Sequence, residues 1–125
     1  MKVEDLKELG FDEKQLKVIF ALKNGPMSGP DLEKATELRQ PEVAKAVREL
    51  RSKGYVQLVR GEKRFKHGAP CKIWGLTKSF EEIIKEIVTK KLTELDRKLK
   101  IAVNVLFELG ELITDEEKQL CQRLK

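Results

Sequence analysis

Apolar positions along the chain repeat first with a helical period, then with a period of two, then with a helical period again. Val3 to Leu9 is a short amphipathic piece that stops at Gly10. Asp12 and Gln15 have the spacing of a capping box, and Leu16, Ile19, Phe20 and Leu22 then recur at helical spacing until Asn24-Gly25-Pro26. This predicts a helix over Glu13 to Lys23. Ser28 or Gly29 caps a second, short helix with Pro30 at its first position, reaching about Thr36. Pro41 opens a third, in which Val43, Ala46, Val47 and Leu50 form one apolar stripe that ends at Lys53-Gly54.

Beyond Gly54 the period changes. Tyr55 to Val59 is β-branched and alternating, and Lys72 to Leu76 is a second strand of the same kind, so the two predict a hairpin. Its tip, Arg60 to Pro70, combines Gly61, Gly68 and Pro70 with five basic or imidazole side chains and is expected to be long and mobile. Ser79 and Glu82 then cap a run of about 30 residues to Leu109-Gly110, roughly 45 Å of helix. Along it Val88, Leu92, Leu95, Leu99, Ala102, Leu106, Leu109 and Ile113 alternate in steps of four and three, the heptad spacing that buries a seam against another helix. Thr114 and Glu117 repeat the capping spacing before a last helix, Asp115 to about Arg123. The expectation is a mainly α fold with a small β component. It divides into a head over residues 1–78 and a helical region over residues 79–125 that serves as a dimer interface.

Composition narrows the function classes. The 125 residues hold one histidine and two cysteines, Cys71 and Cys121, too few for a disulfide framework and almost nothing from which to build a metal site or a catalytic triad. No glycine-rich phosphate loop occurs, so neither an enzyme nor a cofactor is expected. The apolar runs are too short to cross a bilayer and Met1 to Asp5 is not the start of a signal peptide, which leaves a cytoplasmic protein with no membrane partner. Charge is unevenly distributed. Residues 1–38 carry 6 basic and 8 acidic side chains, residues 39–78 carry 11 and 3, and residues 79–125 carry 9 and 10. The net positive charge is therefore concentrated in the third helix and hairpin, as a phosphate-facing surface requires.

Helix, short helix, helix and hairpin, in that order, is the plan of a winged helix-turn-helix, whose third helix enters the major groove of DNA. The stretch Pro41 to Val59, with Leu50-Arg51-Ser52-Lys53-Gly54-Tyr55-Val56 leading straight into a strand, resembles the corresponding segment of MarR-, ArsR- and TrmB-type regulators. Gly68-Ala69-Pro70-Cys71-Lys72-Ile73-Trp74-Gly75-Leu76 followed by Phe80-Glu81-Glu82-Ile83-Ile84 is similar to small archaeal TrmB-like and Lrs14-like transcriptional regulators. The resemblance covers mainly residues 12–78. It implies a homodimer that pairs its long C-terminal helices and sets two heads on double-stranded DNA. These residues do not contain the sugar-binding domain of full-length TrmB regulators, nor the paired cysteines or histidines of metal-sensing ArsR proteins, so no effector is carried over.

On that plan Arg39, Gln40 and Pro41 form the leading end of the third helix, and Glu42, Lys45, Arg48 and Glu49 occupy the face opposite its apolar stripe. Gln40 and Lys45 are candidates for base edges. Arg39 and Arg48 suit phosphates equally well, and Glu42 either accepts from cytosine or repels the backbone. Lys63, Arg64 and Lys66 are candidates for phosphate or minor-groove contacts from the wing. The plainer readings are a solvated helix face and an ordinary soluble loop. His67 reads as a surface residue, Cys71 as an isolated thiol, Cys121 as packed, and Trp74 as packing between the wing and the C-terminal helix. Val88, Leu92, Leu95, Leu99, Ala102, Leu106 and Leu109 are the expected dimer contacts. Two alternatives share the fold: a weakly specific architectural DNA binder and a winged-helix protein-interaction module.

Overall fold

Asp12 accepts the backbone N–H of Gln15 at 3.1 Å, and from that cap the chain folds much as its periodicity predicts. The computed structural model describes residues 2–63, 70–110 and 114–123, with the side chains of residues 60–63, 70, 71 and 121 outside that description. Its elements run α1 (Val3–Glu8), α2 (Glu13–Leu22), β1 (Met27–Ser28), α3 (Gly29–Thr36), α4 (Gln40–Ser52), β2 (Val56–Lys63), β3 (Pro70–Leu76), α5 (Phe80–Leu109) and α6 (Asp115–Arg123). The expected third helix is thus α4. The Ser28 hydroxyl caps α3 by accepting from Asp31 N–H at 3.3 Å, and Ser79 caps α5 by accepting from Glu82 N–H at 3.2 Å. Thr114 and Glu117 cap α6 reciprocally, each side chain accepting the other's backbone N–H at 3.2 Å.

The sheet departs from expectation in two ways. β1, a two-residue strand too short to leave a periodic signal, pairs antiparallel with β3, so the order is β1-β3-β2 and the wing's second strand lies in the centre. The ladder between β2 and β3 also runs further than Tyr55 to Val59 and Lys72 to Leu76, pairing Arg60 with Ile73 and Lys63 with Pro70. Arg60 to Lys63 are therefore strand and not the start of the loop. A partner strand offers backbone hydrogen bonds to the residues that face it whatever their side chains, which is how pairing continues through Gly61. The register slips between Leu58 and Arg60, leaving Val59 as a bulge. Its Cγ2 would lie 2.6 Å from a Cβ at residue 75, so Gly75 is what admits the bulged strand.

The core of the head is built from Leu16, Val18, Ile19 and Leu22 of α2, Leu32 of α3, Val43, Ala46, Val47 and Leu50 of α4, and Val56 and Ile73 of the sheet, all buried. The turn between α3 and α4 is tightly specified. Glu37 adopts φ 61°, a left-handed conformation costing a non-glycine residue about 1 kcal/mol. Buried Thr36 compensates by donating its hydroxyl to the Leu32 carbonyl at 2.6 Å and accepting from Leu38 N–H at 3.3 Å. After α4, Gly54 at φ 85° lets Tyr55 N–H return to the Leu50 carbonyl at 3.0 Å and starts the strand at once.

The chain divides into two compact units, one through Ile84 and one from Lys85. The division falls inside α5, where Phe80, Ile83 and Ile84 are buried in the first unit. The Phe80 ring stands 5.0 Å from that of Phe20, with the Lys23 ammonium 4.8 Å above it. In the second unit α5 exposes Leu92, Leu95 and Leu99 at 65%, 41% and 36%, and also Ile101, Val105 and Phe107 nearer its end. Its solvated turns carry the pairs Glu94–Lys98 at 2.8 Å and Asp96–Lys100 at 3.2 Å. Lys98 first, then Lys91, holds the Glu94 carboxyl below its ordinary range. Among the described residues no helix is long and apolar enough to cross a membrane.

Thr36→Val keeps the shape and removes both hydroxyl bonds, leaving Leu38 N–H without its partner. It is expected to cost about 1 kcal/mol, read as a lower denaturation midpoint at unchanged slope in urea.

Candidate nucleic-acid interface

α4 is placed by its apolar stripe. With Val43, Ala46, Val47 and Leu50 turned inward, 100° per residue puts Pro41, Lys45, Arg48 and Ser52 on the outer side, Ala44 on one flank and Gln40, in the first turn, nearly in line with Val47; all six are exposed. Proline is accommodated in the first turn, where its missing N–H has no helical partner to lose. Arg39 is the exposed N-cap, with extended φ −79° and ψ 158°.

The two carboxylates of α4 lie on one edge, and both are engaged. Glu42 accepts the backbone N–H of Arg39 at 3.1 Å through one oxygen and meets Lys14 of α2 at 2.8 Å through the other. That hydrogen bond from Lys14 is the main reason the Glu42 carboxyl titrates below its ordinary range; the cap at Arg39 adds to it, and the same contact raises Lys14. Glu49 accepts from the Gln15 side-chain amide, whose oxygen in turn accepts from Lys53 at 2.9 Å. Lys45 stands 4.0 Å from Glu49 on the same helix. The acidic edge is thus held against α2, and the outward face is left to Lys45 and Arg48, with Gln40 exposed in the first turn. Of the roles considered for Glu42, the geometry favours capping α4 and pairing with Lys14 over accepting from a base.

Arg39, Gln40, Pro41, Lys45 and Arg48 are all exposed. Lys63 ends β2 and is described only by its backbone, while Arg64 and Lys66 lie outside the described residues. Trp74 differs from expectation: its ring faces the Arg51 guanidinium, 5.6 Å from the ring centroid, so it packs toward α4. A groove of about 440 Å³ opens there, walled by α4, by Lys72 and Trp74 of β3, and by Gly29, Pro30 and Glu33 of α3. The sequence reading omitted Arg51 and Lys72. Arg51 follows Arg48 by three residues on α4, and Lys72 shares a strand face with Trp74, but that these two faces meet depends on β3 lying in the centre of the sheet.

The family model described as "Sugar-specific transcriptional regulator TrmB" matches residues 6–72. Among solved structures, a possible transcriptional regulator from Methanosarcina mazei is similar at a TM-score of 0.54 and 23% identity, over 80% of this chain and 88% of that one. The regulator MepR of Staphylococcus aureus is similar at 0.52 and 17%, over 96% and 78%. BpsR of Bordetella bronchiseptica is similar at 0.52 and 17%, over 98% and 85%. At these identities the likeness is one of fold. No curated protein sequence matches the chain.

The Lys14–Glu42 pair has a defined pH signature. A carboxyl lowered in the folded state adds stability above its ordinary value near 4.5, lost as pH falls through the lowered one; a raised amine adds stability below 10.5, lost as pH rises through the raised one. Lys14→Ala should therefore lower the melting temperature most near neutral pH, with the gap to the parent closing at both the acid and alkaline ends. A gap constant across the acid limb would rule out the ion pair as its source.

Proposed function

Because the chain belongs to the TrmB family of transcriptional regulators, whose model spans more than half of it, we propose that it binds duplex DNA as a homodimer. In this reading α4 lies in the major groove and the β2–β3 wing follows the backbone or the adjacent minor groove. The observation that carries the reading is the outward face of α4, where Gln40, Lys45 and Arg48 are exposed while Glu42 and Glu49 are tied to α2. A recognition helix that exposed its carboxylates would repel the phosphates flanking the groove. Gln40 and Lys45 read base edges, and Arg39 and Arg48 hold phosphates. The concentration of positive charge in residues 39–78 supplies the counterion-release component of the affinity.

The homodimer rests on α5. Its heptad positions Val88, Leu92, Leu95, Leu99, Ala102, Leu106 and Leu109 form a continuous stripe, and burying each leucine against a second copy contributes about 1.5–3 kcal/mol. Residues 1–78 act as the DNA-binding domain and 79–125 as the dimerisation region, with Phe80, Ile83 and Ile84 anchoring α5 in the head.

Fluorescence anisotropy with the upstream duplex of the protein's own gene and with a scrambled duplex, each at two salt concentrations, tests this reading. Tighter, salt-dependent binding to the upstream duplex is expected; no binding to either at low salt would overturn it. Gln40→Ala or Lys45→Ala should change discrimination at one base pair by about 1–3 kcal/mol, whereas Lys63→Ala or Arg64→Ala should weaken all duplexes alike and flatten the salt slope by about one. Identical profiles for Gln40→Ala and Arg64→Ala would refute that division of labour. Leu95→Glu should convert the dimer to monomer in analytical ultracentrifugation and cost much of the DNA affinity by removing two-site binding.

A further inference from the structure

We propose that the ridge formed by Ile101 and Val105 on α5 docks against the same ridge of another copy, joining two homodimers into a tetramer. The two side chains lie one turn apart on α5 and are 57% and 51% exposed. The heptad seam does not include them. With Leu92 and Leu99 at a and Leu95 at d, Val105 takes a g position and Ile101 a c position. At 100° per residue the ridge stands roughly 100° around the helix from the seam, so one partner helix cannot cover both. Cover from within the chain falls elsewhere as well: Val103, the buried side chain of this stretch, points roughly 180° away from the ridge.

The charges beside the ridge specify what fits it. Arg97, one turn before Ile101, and Glu108, three residues after Val105, flank it on the same side, and both are exposed. Among the described residues neither is in an ion pair, whereas Glu94, Asp96, Lys98 and Lys100 are paired along the helix. A second copy laid antiparallel sets Ile101 against Val105 of the facing copy. The same register brings Arg97 level with Glu108 of that copy to within about 1.5 Å along the axis. In an antiparallel pair each flank meets its own counterpart, so both Arg97–Glu108 contacts close; a parallel pair would set Arg97 against Lys98 instead. The ridge is therefore complementary to itself, each residue meeting the one that meets it, as a twofold contact between identical chains requires.

A tetramer carries the heads of four chains. One assembly then holds two duplexes, or two sites on one duplex, with the second engagement made at high effective concentration. This consequence rests on the DNA-binding reading given above, and the tetramer on its homodimer; the ridge contact itself rests on neither.

Sedimentation equilibrium of the full chain without DNA, over a concentration series, tests the contact. A dimer that passes into a tetramer as concentration rises is expected. Ile101→Gln combined with Val105→Gln, both at exposed positions, should raise the concentration of half-association to tetramer about tenfold or more and leave the dimer intact. Arg97→Glu or Glu108→Arg alone should raise it about threefold, and the two together should restore it. A dimer at every concentration that Leu95→Glu dissociates, a tetramer untouched by the paired glutamines, or a double charge reversal no better than either single one would overturn the ridge contact. A dimer abolished by the paired glutamines and spared by Leu95→Glu would overturn the heptad seam alone. Bridging is read separately, by capture of a labelled duplex on an immobilised one. A tetramer that binds duplex without capturing a second overturns the bridging alone, and a tetramer that binds no duplex overturns the DNA-binding reading alone.

Discussion

The rotation of α4 about its own axis is the constraint on which the other features depend. Four side chains, Val43, Ala46, Val47 and Leu50, are buried against α2, α3 and the sheet, and the hydrophobic effect makes any other rotation costly: each large apolar residue turned to water loses about 1.5–3 kcal/mol. Once those four point inward, a period of 3.6 residues leaves no freedom for the rest. Lys45 and Arg48 must face out, and Glu42 and Glu49 must lie along the α2 edge. Surface chemistry on this helix is therefore a consequence of core packing.

The α2 edge shows how the fold handles a conflict. A helix meant to approach phosphates carries two carboxylates, and each is given partners: Glu42 between Lys14 and the N–H of Arg39, Glu49 beside Gln15 and Lys45. These contacts are solvated and individually weak. Their value lies in where they leave the charge, since they draw acid away from the outward face and leave Arg48 turned to solvent. On the opposite edge the helix meets β3, and there the cations Arg48, Arg51 and Lys72 gather around apolar side chains. One helix thus presents an acidic edge held internally, a polar and basic front, and a basic groove behind it.

The head and the long helix obey different rules. In the head, residues far apart in sequence satisfy each other, and the turn between α3 and α4 tolerates a left-handed Glu37 because Thr36 bonds on both sides of it. Along α5 the heptad positions Leu92, Leu95, Leu99 and Leu109 are exposed, Leu92 by two-thirds. Ion pairs between neighbouring turns support such a helix along its polar side.

Local structure was legible because its causes are local. Caps at Asp12, Ser28, Ser79 and Thr114, the stops at Gly25 and Gly54, and the apolar periods of α2, α4 and α5 all depend on residues within one or two turns, and the winged-helix order with its outward-facing Lys45 and Arg48 follows from them. Five features were not legible. The two-residue strand β1 is too short to carry a period and exists only because β3 offers it a partner; the ladder through Arg60 to Lys63 persists for the same reason. Phe80 falls beyond the expected head boundary, yet it packs on Phe20. Gln15 and Glu49 are 34 residues apart, and no spacing rule links Arg51 to Trp74. Such contacts require the chain to be brought together over long loops, and which ones form is decided by burial of the whole core and not by any segment alone. By itself, then, the sequence determined every element but β1, their order and the sign of charge on each; the tertiary structure decided which carboxylates are engaged, where the wing's central strand meets α4, and that a basic, apolar groove exists at all.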